Sequence, residues 1–174
     1  MIRPGVLDDA EAVATLHTRS WRTAYAGMLP ADYLDGALYE ERLGIWRSRL
    51  SAPAPGAALF LIEDESGLEG FVYLTPEPAD RVLLDNLHVR ATGKRRGTGT
   101  RLLHHAMSWT AENYPGRAMY LEVLEANTPA IAFYERHGGV RTAHRVTDWP
   151  QGFSTPEYEY TWPATALVPN GSAR

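Results

Sequence analysis

The sequence predicts a single α/β domain built on a mixed β-sheet. Its 174 residues are enough for one domain with a hydrophobic core. Segments with helical spacing of apolar residues alternate with short apolar segments typical of strands, in the approximate order β-α-α-β-β-β-α-β-α-β-β. The chain shows no internal repeat and no linker that would divide it.

The first half of the chain is expected to supply two helices and several strands. The segment VLDDAEAVATLHTRSWRTAY has helical spacing, with Asp8 as the cap and Glu11 placed to complete a capping box. A second helix is expected in ALYEERLGIWRSRL, after the turn-rich connector GMLPADYLDG. Two strands are expected in ALFLIEDESGLEGFVYLT, joined by a hairpin at residues 65–67, and a further strand in VLLDNLHV.

The second half is expected to alternate between helices and strands. A helix begins at the pair Gly97 and Gly99, and the strand AMYLEVLEA follows it. A short helix in NTPAIAFYERHGG has Thr128 as its expected cap. The strands VRTAHRVTDW and PEYEYTW close a domain of residues 1–162, and residues 163–174 are expected to form a disordered tail.

Composition and charge exclude several functional classes. The net charge of −4 gives no overall basic field, which argues against nucleic-acid binding. No apolar run is long enough to span a membrane, and the first residues, MIRPGVLDDAEA, lack the apolar core of a signal peptide. The absence of cysteine excludes disulfides and zinc-thiolate sites, and the six histidines show no metal-ligand spacing. We therefore expect a cytoplasmic protein with no metal.

A glycine-containing segment, LHVRATGKRRGTGTRLL, indicates an anion site. A strand ends at Val89, several cationic residues follow, and a helix begins at Gly97 and Gly99. The first N–H groups of a helix lack intrahelical partners and lie at the positive end of its dipole. Glycines leave those groups accessible, and the side chains of Arg95 and Arg96 match phosphate geometry. The segment therefore predicts a phosphate site.

Three nucleotide-binding patterns were compared with this segment. A P-loop fails because Thr100-Arg101 stands where Lys-Ser/Thr is required, and a dinucleotide fingerprint fails because Leu102 replaces its third glycine. The pattern V-x-x-x-x-[QR]-x-x-G-x-[GA] fits, with Lys94 at the Gln/Arg position.

This third pattern resembles that of the GCN5-related N-acetyltransferases, the GNAT superfamily. A second segment, LEVLEANTPAIAFYERHGGV, is similar to the family's L-x-V-x-x-x-N-x-x-A-x-x-F-Y-E-x-x-G-F, and the resemblance covers roughly residues 1–162. The positions that match in register are Leu121, Val123, Asn127, Ala130, Phe133, Tyr134, Glu135 and Gly138. The segment HTRSWRTAYAGMLPADYL also resembles bacterial members that acetylate small amines. The resemblance implies a mostly antiparallel sheet of about seven strands with about four helices, splayed between strands four and five.

The chain departs from the family pattern at three positions. Lys94 replaces Gln or Arg, and its charge still suits a phosphate. Gly139 replaces the usual Phe, a change in packing. The glutamate that many members use as a base falls at Leu83, which cannot accept a proton.

By resemblance, the coenzyme is acetyl-CoA. Its pyrophosphate would lie on the backbone N–H groups of residues 95–100, and its pantetheine would pair with the backbone of residues 87–89. Asn127 would hold the pantetheine or the strand end, although a helix-entry role explains it equally well. The implied coenzyme-binding residues are Leu87, His88, Val89, Lys94, Arg95, Arg96, Gly97, Thr98, Gly99, Thr100, Asn127, Phe133 and Tyr134.

The resemblance also assigns catalytic roles. Tyr134 would donate a proton to the departing sulfur, and a backbone N–H of residue 87 or 88 would stabilise the oxyanion. The alternative for Tyr134 is a packing role. Strand alternation would place Leu83, Asp85, Leu87 and Val89 on one face, opposite His88. The hypothesis is that Asp85 accepts the amine proton, directly or through a water; it could instead bind the substrate ammonium or cap a loop.

The expected substrate is a small-molecule primary amine, attacking directly in a ternary complex. The candidate substrate-binding residues are Trp21, Tyr25, Asp85 and Trp149. Two alternatives remain open. One is a non-catalytic relative that binds acyl-CoA. The other is a protein N-terminal or lysine acetyltransferase, which predicts an open groove where the first helices meet the last hairpin. A homodimer is possible, and no membrane or nucleic-acid partner is expected.

Overall fold

Seven β-strands form the central sheet of the computed structural model, which describes residues 1–91 and 96–168. Their order across the sheet is β1-β2-β3-β4-β5-β7-β6. The strands are β1 (Ile2–Pro4), β2 (Ala58–Asp64), β3 (Gly67–Pro76), β4 (Arg81–Val89), β5 (Ala118–Leu124), β6 (Val140–Asp148) and β7 (Ser154–Trp162). All neighbouring pairs are antiparallel except β4 and β5. The predicted α/β fold with a mixed, mostly antiparallel sheet is confirmed.

The described residues form five α-helices, one more than the approximate number expected. They are α1 (Ala10–Ala24), α2 (Ala31–Asp35), α3 (Leu38–Ser51), α4 (Thr98–Asn113) and α5 (Thr128–Arg136). The additional helix, α2, is a short helix that starts after Pro30 in the expected connector.

The expected helix caps differ in detail from those observed. At the start of α1, the carboxylate that accepts from the backbone, at Val6 N, is that of Asp9 and not of Asp8. A 3-10 turn over Leu7–Asp9 shifts the helix start beyond Asp8. At α5 the side chain of Asn127, not of Thr128, accepts from Ala130 N. Both corrections follow from local turn geometry that the motif spacing does not specify.

The two faces of the sheet bury two separate layers of apolar side chains. On β3, Val72 and Leu74 pack in the same cluster as Leu102 of α4. Their neighbours Phe71 and Tyr73 point to the opposite face, in a cluster with residues of α1 and α3. The alternation of side chains along β3 therefore places α4 on one face and α1 with α3 on the other.

Strands β4 and β5 pair only at their beginnings. Residues Arg81–Leu83 pair with Ala118–Tyr120, and the ladder ends there. Beyond this point β4 stays paired with β3, and β5 stays paired with β7. The two strands therefore diverge and open a gap in the middle of the sheet, as the resemblance implied.

A β-bulge in β4 changes which residues face the gap. Tyr73 pairs with Asn86 and Leu74 with Leu84, so Asp85 is an extra residue without a partner on β3. A bulge of this kind reverses the alternation of side chains along the strand. The prediction that Leu83, Asp85, Leu87 and Val89 share one face is therefore wrong. Leu87 and Val89 pack against the cluster of α4, whereas Asp85 binds Arg49 of α3.

The same bulge brings His88 to the side of the sheet that carries Asp85, contrary to the expectation of opposite faces. The His88 ring lies 4.6 Å from that of His17 and 5.3 Å from that of Phe71, which belong to α1 and β3. Ser20 Oγ of α1 lies 2.9 Å from His88 Nδ1. His88 thus contributes its side chain to the packing of α1.

The described residues extend past the expected domain end at residue 162. Residues Ala164–Ala166 form a 3-10 turn, and Leu167 is buried in the cluster that contains α4. The first part of the expected tail therefore packs against the domain. The rest, residues 169–174, lies outside the described residues. Within the described residues, no helix is long and apolar enough to cross a membrane.

Candidate active site

A cleft of about 770 Å³ occupies the gap between the diverging strands β4 and β5. Its walls come from these strands, from the start of α4, from α5 and from the end of α1. Most of the expected site residues line it: Tyr25, Asp85, Leu87, His88, Val89, Gly97, Gly99, Thr100, Asn127, Phe133 and Tyr134. Lys94 and Arg95, also expected in the coenzyme site, lie outside the described residues, and Arg96 is exposed in the turn before α4.

The N-terminus of α4 opens onto this cleft. Gly97 is the N-cap with φ +84°, a left-handed conformation that favours glycine. The first intrahelical bond runs from Arg101 N to Gly97 O at 2.9 Å, so the N–H groups of residues 98–100 precede the helical ladder. The Thr98 hydroxyl, by contrast, donates to Glu69 Oε1 at 2.8 Å and is buried. Only the backbone of Thr98 is therefore suited to ligand binding.

We expect Gly97→Ala to weaken binding of a phosphate-bearing ligand. A Cβ at this position would meet no heavy atom within 4 Å, so the substitution acts through backbone conformation alone. Holding alanine in the left-handed region costs about 1–2 kcal/mol. Calorimetric titration measures the affinity for acetyl-CoA, and urea unfolding measures the change in the free energy of unfolding. Gly67→Ala is the matched control, since Gly67 also has a positive φ and open space but lies outside the cleft lining. Equal ligand affinity in wild type and Gly97→Ala would contradict the expectation.

Helices α4 and α5 are joined at the cleft by His137. Its Nδ1 lies 2.8 Å from Phe133 O and its Nε2 lies 3.1 Å from Thr100 Oγ1. Because a carbonyl oxygen can only accept, Nδ1–H of His137 donates to Phe133 O. Gly99 lies against Phe133, where an added Cβ would be 3.6 Å from the ring. These contacts fix the position of the α4 N-terminus relative to α5.

Tyr134 is a buried side chain on the cleft wall. Its ring packs against Phe133 and, at 6.0 Å between centroids, against Trp162. Burial raises the pKa of the Tyr134 hydroxyl, and the nearby Tyr25 raises this pKa further. The hydroxyl therefore stays protonated at neutral pH, as a proton donor requires.

Asp85 is engaged by neighbouring side chains. Arg49 Nη2 lies 2.6 Å from Asp85 Oδ2, and Asn86 Nδ2 donates to the same oxygen at 2.8 Å. The Arg49 guanidinium also stacks over the ring of Tyr73 at 4.6 Å. These contacts hold the Asp85 carboxylate against α3.

The expected substrate-binding aromatics divide into two groups. Tyr25 lines the cleft, and burial followed by the charge of Glu157 raises its pKa to about 12. Trp21 and Trp149 are not among the described residues that line the cleft. The rings of Trp21 and Trp149 lie 5.8 Å apart, in the same apolar cluster as Tyr25. Trp21 is buried on α1, whereas Trp149, which follows β6, is partly buried.

The cleft also contains charged residues that the sequence interpretation missed, notably Glu122 and Arg136. Glu122 lies between Leu121 and Val123, both buried on the opposite face of β5. The sequence feature that could have identified Glu122 is an acidic residue within an otherwise apolar strand. Among residues 1–91 and 96–168, no group of three His, Asp or Glu side chains is placed to hold a metal ion.

Comparison with known proteins places this chain among acetyltransferases. The model of the acetyltransferase (GNAT) family matches residues 12–139. The chain is 29% identical over 147 residues to the uncharacterized N-acetyltransferase YuaI of Bacillus subtilis, covering 82% of this chain and 81% of YuaI. It is 30% identical over 131 residues to the probable N-acetyltransferase Rv2775 of Mycobacterium tuberculosis, covering 74% and 72% of the two chains.

The solved structures agree at the level of the fold. The structure of yncA, a putative acetyltransferase from Salmonella typhimurium with its cofactor acetyl-CoA, matches with a TM-score of 0.68 and 16% identity. The match covers 94% of this chain and 93% of that one. The chain belongs to the acetyltransferase (GNAT) family, and the predicted enzyme class, an acetyl-CoA-dependent N-acetyltransferase, is confirmed.

Proposed function

We propose that the protein transfers the acetyl group of acetyl-CoA to the primary amine of a small molecule, by direct attack within a ternary complex. The observation that carries this proposal is the composition of the single cleft between β4 and β5. It combines the N-terminus of α4, the part of β4 that lies beyond the ladder with β5, and the protonated hydroxyl of Tyr134. These are an anion site, a backbone-binding surface and a proton donor.

The coenzyme would bind along one wall of the cleft. The backbone N–H groups at residues 97–100 suit the pyrophosphate, because they lie at the positive end of the α4 dipole. Residues 84 and 86–89 of β4 are paired with β3 on one side, and the ladder with β5 has ended on the other. The edge of β4 that faces β5 beyond this ladder suits the amide groups of the pantetheine, which would add to the sheet as a short strand.

The thioester would then lie in the gap, where the reaction needs two further groups. A backbone N–H of Leu87 or His88 is the proposed hydrogen-bond donor to the oxyanion. Tyr134 is the proposed acid: when the carbon–sulfur bond breaks, the sulfur takes the electron pair and then the tyrosine proton. Asn127 already accepts from Ala130 N, so its contribution to coenzyme binding would come through the shape of the α5 start.

A small acceptor is favoured over a protein. Protein acetylation predicts an open groove between the first helices and the last hairpin. Aromatic side chains fill that junction instead: Trp21 contacts Trp149, and Tyr33 lies 5.5 Å from Phe153. These two contacts occupy the junction where a groove for a polypeptide is expected, which supports a small acceptor.

The reaction also needs a general base that accepts the proton of the acceptor amine. The sequence-based hypothesis assigns this role to Asp85, which lines the cleft. The ion pair with Arg49 engages this carboxylate and turns it towards α3. Asp85 is better suited to orienting the acceptor.

The predicted cytoplasmic location and the predicted homodimer stay predictions. For a dimer, the surface to examine is the edge strand β6, on which Val140 and Val146 are exposed.

Calorimetric titration of the purified protein with acetyl-CoA, desulfo-CoA and ATP tests the coenzyme part of this proposal. We expect micromolar binding of acetyl-CoA, similar binding of desulfo-CoA, and little binding of ATP. This result is expected because β4 is proposed to recognise the pantetheine, which ATP lacks. Absence of acetyl-CoA binding would contradict the proposed function. Binding without turnover of any amine would instead support a non-catalytic acyl-CoA-binding protein.

A further inference from the structure

We propose that Glu122 is the general base of the reaction, and that Arg145 and Glu159 are its positioning pair. This inference rests on the proposed acetyl transfer and adds the proton acceptor that Leu83 cannot supply.

The position of Glu122 in the sheet is the first argument. Tyr120 is the last residue of β5 that pairs with β4, and Glu122 follows it by two residues, on the same face. Its side chain is therefore at the point where the strands separate, and it lines the same cleft as Tyr134. About a third of the Glu122 side chain, 35%, is exposed, so an acceptor amine can reach it.

The neighbours of Glu122 form the second argument. Glu122 and Glu159 are directly opposite each other on β5 and β7, an arrangement of like charges that destabilises a sheet. Arg145 of β6 bridges them, with Nη1 at 2.5 Å from Glu122 and Nη2 at 2.8 Å from Glu159. Arg81 adds a second cation to Glu159, at 3.1 Å. The arginines therefore favour Glu159, which has two of them, over Glu122, which shares one.

The pKa values of the two carboxylates shift in opposite directions. Burial raises the pKa of Glu122, Arg145 opposes this effect, and the charges of Glu157, Glu159 and Glu77 raise the pKa further. Burial also opposes ionisation of Glu159, but the hydrogen bond from Thr142 and the charges of Arg81 and Arg145 lower its pKa. Two adjacent carboxylates with opposite shifts are typical of an acid–base site. Glu122 is the member suited to accept a proton.

The charged and titratable groups that face Glu122 come from several elements. They are Arg145 from β6, Glu157 and Glu159 from β7, Glu77 beyond β3, Tyr120 on β5 itself and, among the residues that line the cleft, Asp85, Tyr25, His88 and Arg136. The charges that shift the Glu122 pKa are those of Arg145, Glu157, Glu159 and Glu77.

The proton balance of the step is complete with these groups. The acceptor ammonium gives one proton to the Glu122 carboxylate, and the neutral amine attacks the thioester carbonyl carbon. When the carbon–sulfur bond breaks, the sulfur receives the electron pair and the Tyr134 proton. The nitrogen then loses its second proton, which restores the tyrosine. Glu122 finally releases its proton to solvent, leaving an amide and free coenzyme.

The direct test is Glu122→Gln, which keeps the shape of the side chain. We expect kcat/KM to fall by at least about 100-fold at neutral pH, with acetyl-CoA affinity unchanged. The loss should shrink as pH rises, because more of the amine is then already neutral. Glu125→Gln is the matched control, since Glu125 follows by three residues but lies outside the cleft lining. Full kcat/KM for Glu122→Gln at all pH values would overturn the proposal.

The positioning pair has its own signature in the pH profile. Arg145→Met removes a charge that lowers the Glu122 pKa, so the acidic limb of kcat/KM should move to higher pH. Glu159→Gln removes a charge that raises this pKa, so the limb should move to lower pH. A merely structural role would not produce opposite shifts, and unshifted limbs in both variants would overturn the assignment.

Failure of this proposal is distinguishable from failure of the proposed function. If Glu122 is not the base, acetyl-CoA still binds and the wild-type protein still acetylates amines. If the proposed function fails, the wild-type protein itself shows no transfer.

Discussion

Tyr134→Phe is expected to lower kcat by about 100- to 10,000-fold, the usual contribution of a positioned proton donor. The substitution removes one hydroxyl and keeps the ring, which packs against Phe133 and Trp162. Acetyl-CoA affinity should therefore stay close to that of the wild type. Steady-state thiol release and calorimetric titration measure the two quantities.

The pH dependence gives a second check on Tyr134. Burial raises its pKa, and Tyr25 adds to the effect, so the donor form persists beyond the usual tyrosine range, about pH 10. The basic limb of the kcat profile attributable to Tyr134 should lie above that pH. Tyr158→Phe is the control, because Tyr158 lies on β7 and its hydroxyl donates to Glu125, outside the cleft lining. A Tyr134→Phe variant with wild-type kcat would contradict the assignment.

Trp162→Ala is expected to cost about 3–5 kcal/mol in the free energy of unfolding, as for other large buried aromatic side chains. Trp162 is fully buried, and its Nε1 donates to His137 O at 2.8 Å. A cavity would form beside Tyr134, and the His137 carbonyl would lose its donor. Urea denaturation measures the change, and Trp162→Phe, which keeps a ring, should lose less.

The same tryptophan explains why Gly139 departs from the family pattern. A Cβ at Gly139 would lie 2.9 Å from Trp162 Cζ2 and 3.0 Å from Tyr134 O. The indole thus occupies the space that a side chain at 139 would need. We expect Gly139→Phe to destabilise the wild type, and Gly139→Phe with Trp162→Ala to lose less stability than the sum of the two single changes. Strict additivity would contradict this packing account.

The order of elements could be predicted from the sequence because long periodic segments specify it, and the splay of the sheet was implied by the family resemblance that the two motifs carry. The face of Asp85 could not, because a bulge inserts one residue without changing the residue types around it. Similarly, the threonine of a glycine-containing loop can point to a ligand or inward, and Thr98 donates inward to Glu69. Such choices depend on partners distant in sequence.

The base illustrates the same limit. Sequence reasoning considered residues near Leu83 on β4, because a family pattern directs attention there. Glu122 belongs to the neighbouring strand, and its suitability depends on Arg145 and Glu159, which come from β6 and β7. Only the sheet order β5-β7-β6 brings these three side chains together.

Two-substrate initial-rate kinetics test the central claim most directly. Thiol release from acetyl-CoA is followed with a panel of small primary amines, and the product is checked by mass spectrometry for one added acetyl group. The account predicts amine-dependent thiol release with intersecting double-reciprocal lines, as a ternary complex requires. Parallel lines, or thiol release that does not depend on the amine, would contradict direct transfer in the cleft between β4 and β5.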